Sequence, residues 1–302
     1  MTTIGVVLMA YGSPGSRDGV EAFYTDIRRG HPPSPSQLAD LLRRYDAIGG
    51  VSPLTARTEA QRDGLQAALD ARQAGRYRVV LGYKHTDPRI EDAVADLAAT
   101  GVTRAVGLVL APHHSALSTG LYLDRFRDAA AAHGLDAPAI ERWGLDEAYL
   151  AFEAGAVLHE LQRLPERTKV VFTAHSLPRR ILAAGDPYPD ELRATAQAVA
   201  SRVGLAPWAG WCTAWQSAGR TDEPWLGPDI LQVITDLAAS DGSAGVLVCP
   251  CGFVSDHLEI LYDLDIEARR HAARLGLAFA RTACVNDDPA VLGALAERVL
   301  AA

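Results

Sequence analysis

The residues best suited to chemistry stand at the ends of apolar runs. Phe172-Thr173-Ala174-His175-Ser176-Leu177-Pro178 carries an imidazole from an apolar stretch into a turn. Imidazole titrates near neutrality, so His175 suits a base or a neutral metal ligand. A second run ends in Cys249-Pro250-Cys251-Gly252-Phe253 and leads to Glu259, Asp263 and Glu267 at i, i+4 and i+8. On a helix that spacing stacks three carboxylates along one face. Ile260, Leu261, Leu264 and Ile266 lie between them and point to burial. Such a column could guide protons or divalent cations, while a solvated acidic stripe is the alternative that spacing leaves open.

Other candidates need partners. Tyr11 follows an apolar run and precedes Gly12, so its ring faces either a cleft or the core. Arg28 and Arg29 precede Gly30; Arg43 and Arg44 lead through Tyr45 into Gly49-Gly50-Val51-Ser52-Pro53. Guanidinium groups suit carboxylates and phosphates because they offer paired donors, although an arginine pair also suits a solvated helix face. His85, His113 and His114 end two further runs. Cys249-Pro250-Cys251 lacks paired zinc-knuckle spacing, and Cys212 and Cys284 are distant in the chain. An iron–sulfur cluster needs four converging ligands, so none is expected.

The elements that must position these groups follow from periodicity. Apolar runs at 4–9, 78–82, 105–111, 169–173, 208–215 and 245–249 read as buried parallel strands. Helical spacing fills 59–73, 90–100, 121–133, 149–164 and 189–203. The alternation predicts an α/β chain whose parallel sheets are flanked by helices. The pattern runs twice, over 1–140 and 141–302, with a crossover at 135–143. Ligands in such sheets sit beyond the carboxyl ends of the strands. No G-x-G-x-x-G follows a strand, which weakens a dinucleotide-binding reading.

Composition removes whole classes. The 302 residues include 29 Lys+Arg against 37 Asp+Glu, a net charge of −8, which argues against non-specific nucleic-acid binding. With 48% apolar and 22% charged residues, the chain can bury a large core. No apolar run is long enough to span a bilayer. The first apolar stretch has no Lys or Arg before it and reads as a strand, not a signal peptide. Four cysteines make no disulfide framework, so a cytoplasmic location is expected.

Taken together, LMAYGSP (8–14), IRRG (27–30), RYDAIGGVSPL (44–54), GYKHTDPRIEDAVADL (82–97), LVLAPHHS (108–115), FTAHSLP (172–178), GDPYP (185–189), WQSAGRTDEPWLGPDI (215–230) and GFVSDHLEILYDLDIEA (252–268) resemble the ferrochelatase family. The likeness is greatest to coproporphyrin III ferrochelatases of Gram-positive and actinobacterial type. It implies two Rossmann-like domains, 1–140 and 141–302, with a porphyrin cleft between them. The last helix is free to pack back on the N-terminal half. It also implies insertion of ferrous iron into coproporphyrin III to form coproheme.

The same resemblance places His175 and Glu259 at the macrocycle centre, as catalytic and metal-handling residues. It matches Tyr11, Arg28, Arg44, Tyr45, Ser52 and Tyr122 to porphyrin contacts, and Asp263 and Glu267 to an acidic column. Family members with a [2Fe–2S] cluster take ligands from a C-terminal extension, whereas the last cysteine here is Cys284. No resident cofactor is therefore expected, iron being a substrate. The expected partners are the porphyrin, ferrous iron and a downstream heme-pathway enzyme, with no nucleic acid, no membrane span and a monomeric state. A protoporphyrin IX ferrochelatase, another tetrapyrrole chelatase and a non-catalytic porphyrin or heme binder are the alternatives.

Overall fold

A strand covered on both faces needs no polar alternation, which is why its sequence is a continuous apolar run. In a computed structural model, which describes residues 3–207, 209–219, 221–240 and 242–302, these runs form two parallel sheets. β1 (Ile4–Ala10), β2 (Tyr77–Tyr83), β3 (Ala105–Val109) and β4 (Ala139–Ile140) pair in the order β2-β1-β3-β4. β5 (Thr168–His175), β6 (Trp211–Gln216), β7 (Gly245–Cys249) and β8 (Ala278–Arg281) pair as β6-β5-β7-β8. Both sheets thus use one strand order. The central strands are the driest: Val6 to Met9 of β1 and Val170 to Phe172 of β5 are fully buried.

Some boundaries differ from the periodicity. β5 runs on to His175, past position 173, and β3 stops at Val109, short of 111. Trp208, the start of the 208–215 run, lies outside the described residues, as does Arg220 of the 215–230 segment; β6 begins at Trp211. No apolar run marks β4 or β8, because edge strands of only two and four residues, the latter all half-exposed, carry little periodic signal.

The helices are α1 (Val20–Ile27), α2 (Pro35–Ala47), α3 (Leu54–Asp70), α4 (Ile90–Ala99), α5 (Thr119–Ala132), α6 (Glu147–Leu161), α7 (Tyr188–Val203), α8 (Ile230–Ala239), α9 (Arg269–Arg274) and α10 (Pro289–Ala301). α2 starts sharply because Ser34 and Gln37 cap each other's backbone and Pro35 opens the first turn. α10 packs on α3 at Gly64, where an added Cβ would lie 2.5 Å from Leu292. One apolar cluster takes in Leu8 of β1, Phe172 of β5, Leu247 of β7 and Leu295 of α10, so both sheets share a core.

The acidic segment departs from an α-helical stack. Glu259–Ala268 is a π-helix, a rare winding that recurs at functional sites. The three carboxylates differ in burial along it. Glu259 is half-buried, Asp263 is buried and Glu267 is exposed.

The loop after β7 presses on β5. A Cβ on Gly252 would lie 2.3 Å from the Ala174 Cβ and 2.7 Å from its Cα. Gly252→Ala is therefore expected to cost about 1–3 kcal/mol by overpacking. A urea midpoint equal to that of the parent chain would show instead that the loop yields freely.

Candidate active site

Beyond the carboxyl ends of both sheets the loops enclose a cleft of about 550 Å³, within the usual range for small-molecule sites. Tyr11, Lys84 and Tyr122 line it from the first half, and His175, Phe253 and Glu259 from the second. The central strands β1, β5 and β7 end here and bring Tyr11, His175 and Phe253, while Lys84 follows edge strand β2, Tyr122 comes from α5 and Glu259 from the segment after β7.

His175 is the last residue of β5, in register with Gln216 of β6. The Tyr188 hydroxyl donates to its carbonyl at 3.0 Å. Its Nδ1 donates to the Ser176 carbonyl, which turns Nε2 toward the cleft. Nε2 lies 3.5 Å from Glu259 Oε1. On the other side of that carboxylate, His257 Nε2 lies 3.5 Å from Oε2, its own Nδ1 donating to the Ser255 carbonyl at 2.9 Å. Gln216 locks the assembly: it accepts from the Thr173 hydroxyl at 2.8 Å and donates to the Glu259 carbonyl at 3.3 Å. Two imidazoles therefore share one carboxylate through their Nε2 atoms.

The electrostatics follow from this sharing. Burial alone would lower the His175 pKa, but the Glu259 charge and hydrogen bond, aided by the Ser176 carbonyl and Asp263, raise it. Burial alone would raise the Glu259 pKa, but His175 and then His257 hold it well below the ordinary carboxylate range. Asp263 moves the other way. Burial, then Glu259 and Glu267, push it up to about 7 against the pull of Ser217 and Arg44. Neighbouring carboxylates with opposed shifts are a mark of divided acid and base roles. Ser217 donates to Asp263 Oδ2 at 2.6 Å from a left-handed backbone position, φ 59°. Such strain persists where the surroundings hold it, commonly at functional sites.

The other expected residues divide. Tyr11 stands at the rim, 40% exposed, with its ring 4.6 Å from that of His85. Tyr45, Ser52 and Tyr122 are buried side chains of the cleft wall. Arg44 also lines the cleft, but its guanidinium is engaged by Asp40 at 3.1 Å and Asp263 at 3.4 Å. Arg28 does not line it; its Nε donates to the His31 carbonyl at 3.1 Å. Glu267 is likewise outside the lining. His113 is a buried strut: the Thr195 hydroxyl donates to the Gly144 carbonyl and accepts from His113 Nε2, each at 2.9 Å. Burial drops its pKa to about 3, so it stays neutral.

His257, Gln216, Ser217 and Tyr188 are site residues that the sequence reading passed over. His257 alone left a signal, since it stands two positions before Glu259.

Comparison with known proteins adds an independent view. A family model described as Ferrochelatase matches residues 3–302. The chain is 41% identical over 306 residues to a coproporphyrin III ferrochelatase of Geobacillus kaustophilus, covering 99% of this chain and 95% of that one. It is 39% identical over 303 residues to the coproporphyrin III ferrochelatase of Bacillus subtilis, covering 98% and 97%. A ferrochelatase of Herpetosiphon aurantiacus is 42% identical over 297 residues, covering 96% of each. Among solved structures, SirB from Bacillus subtilis with Fe3+ is similar in fold, with TM-score 0.57 at 13% identity over 99% of this chain and 94% of that one.

Proposed function

The chain belongs to the ferrochelatase family, and from that premise and the chemistry of its cleft we propose that it inserts ferrous iron into coproporphyrin III, giving iron coproporphyrin III for heme synthesis. The observation that carries this reading is the convergence of His175 and His257 on Glu259 at 3.5 Å each, on the wall of a cleft lined by both halves.

Insertion must strip two pyrrole protons and exchange the iron's waters for nitrogens. His175 takes a pyrrole proton at Nε2, since Nδ1 is committed to the Ser176 carbonyl. Glu259 steadies the imidazolium that results. Asp263, poised to be half-protonated near neutrality, receives the proton next, and Glu267 passes it to solvent. Imidazole and carboxylate are also suitable ligands for a transient Fe²⁺. The aromatic and hydroxyl wall of Tyr11, Tyr45, Ser52 and Tyr122 holds the macrocycle, and binding at its edge offsets the cost of bending it to expose the nitrogen lone pairs.

No resident cofactor enters this mechanism. Cys249 donates to Glu153 at 3.1 Å, and burial pushes the Cys249 and Cys284 thiols up, away from the thiolate form that binds a cluster. The four free cysteines favour a reducing, cytoplasmic setting. Among the described residues no helix is long and apolar enough to cross a membrane. A monomeric working state is part of this proposal, as the family resemblance implies. The product keeps four propionates, so an enzyme acting on those side chains would follow.

Purified protein, mixed anaerobically with Fe²⁺ and either coproporphyrin III or protoporphyrin IX, tests the reading by absorbance. Conversion of coproporphyrin III, and faster than of protoporphyrin IX, is expected. Preference for protoporphyrin IX would overturn the substrate; porphyrin binding without conversion would overturn the enzyme.

A further inference from the structure

Lys84 is a cation of the cleft lining. Lys84 follows β2, and its ammonium sits 5.0 Å from the centroid of the Tyr122 ring. Two guanidiniums fix its backbone: Arg89 and Arg125 donate to the Lys84 carbonyl at 2.9 and 2.8 Å. The nearby acids are already engaged. Asp26 pairs with Arg89 and His85, and Glu91 with Arg125. Among the described residues no carboxylate pairs with Lys84. Burial first, then Arg125 and Arg29, lower its pKa to about 8, so at neutral pH it is still charged. A half-buried ammonium among cations is relieved by an anion, and the aromatic face beneath it compensates only in part.

We infer that Lys84 is the cationic half of a carboxylate subsite, which takes one propionate of the porphyrin above the Tyr122 ring. Arg44 contrasts with it, being already matched by Asp40 and Asp263. Lys84 is therefore the anchor whose charge the substrate must complete. The inference rests on the porphyrin reading above, and it gives a macrocycle with four carboxylates one more favourable contact than its ring provides.

Binding without iron tests the subsite separately from turnover. Porphyrin fluorescence titrations in one detergent would compare coproporphyrin III with etioporphyrin, which has no carboxylate. Lys84→Met is expected to weaken coproporphyrin III about tenfold or more, the effect of losing one charge-assisted bond. Etioporphyrin affinity should move less than about twofold, and Lys84→Arg should keep most of the coproporphyrin affinity. Lys84→Gln replaces the Met variant if that chain does not fold. Unchanged coproporphyrin affinity, or an equal loss for both porphyrins, would overturn the subsite. A parent chain that inserts iron beside a Lys84→Met variant that binds normally would sink the subsite alone. A parent chain that binds coproporphyrin III through Lys84 but inserts no iron would sink only the enzymatic reading.

Discussion

His175→Ala is expected to lower iron insertion about a thousandfold while porphyrin affinity stays within a few-fold of the parent chain. The reason lies in the wiring of the ring. Nδ1 is held by the Ser176 carbonyl, and Nε2 faces Glu259 across 3.5 Å. His257 cannot replace it simply, because its ring is tethered to the Ser255 carbonyl on the other side of the carboxylate. The fold should survive: the side chain is about one-third exposed, at 35%, and the backbone clamp from Tyr188 reaches the His175 carbonyl, which alanine keeps. Single-turnover absorbance at saturating porphyrin would read the effect. Insertion above a tenth of the parent rate would remove His175 from the chemistry.

Glu259→Gln should slow insertion about a hundredfold, with shape and packing conserved. It also has a signature that a structural role would not produce. Burial opposes charge on His175, and Glu259 is the main group that reverses that effect. With glutamine there, burial dominates and the His175 pKa should fall below its ordinary value near 6.5. The resonances of the ring, followed by NMR across pH, measure this directly. The acid limb of the insertion profile should move to lower pH with it, because neutral His175 is the base. A His175 titration unmoved by the substitution would break the proposed coupling.

The stability linkage has two signs. The raised His175 pKa contributes stability fully present below the unfolded value and lost as pH rises through the folded one. The depressed Glu259 pKa contributes stability present above its unfolded value and lost as pH falls through the folded one. Their joint contribution is therefore greatest between the ordinary glutamate pKa and the ordinary histidine pKa, and it fades as pH rises from there through the raised His175 pKa. The gap in urea midpoint between the parent and the Glu259→Gln chain should be widest there.

Much of this was legible before any coordinates. The runs that became β1, β5 and β7 are apolar because each is buried on both faces, and His175 is conspicuous because it closes one of them. Net charge and the four cysteines bear on partners and compartment without reference to shape. Arg28 and Arg44 stood out for their chemistry, yet one is turned to the His31 carbonyl and the other is matched by two aspartates. Lys84 is the converse case, a single lysine in GYKHTDP with nothing local to show that, among the described residues, no carboxylate pairs with it.

Periodicity determines which stretches are buried and where the chain turns, since both depend on side chains a few positions apart. It could not decide that Glu259 winds into a π-helix, that two imidazoles share its carboxylate, or that Asp263 sits near neutrality while its neighbour is strongly acidic. Those depend on how two sheets pack over a common core and bring the ends of separate strands to one cleft. Charge interactions act through space and are scaled by burial. Only the tertiary structure sets either quantity.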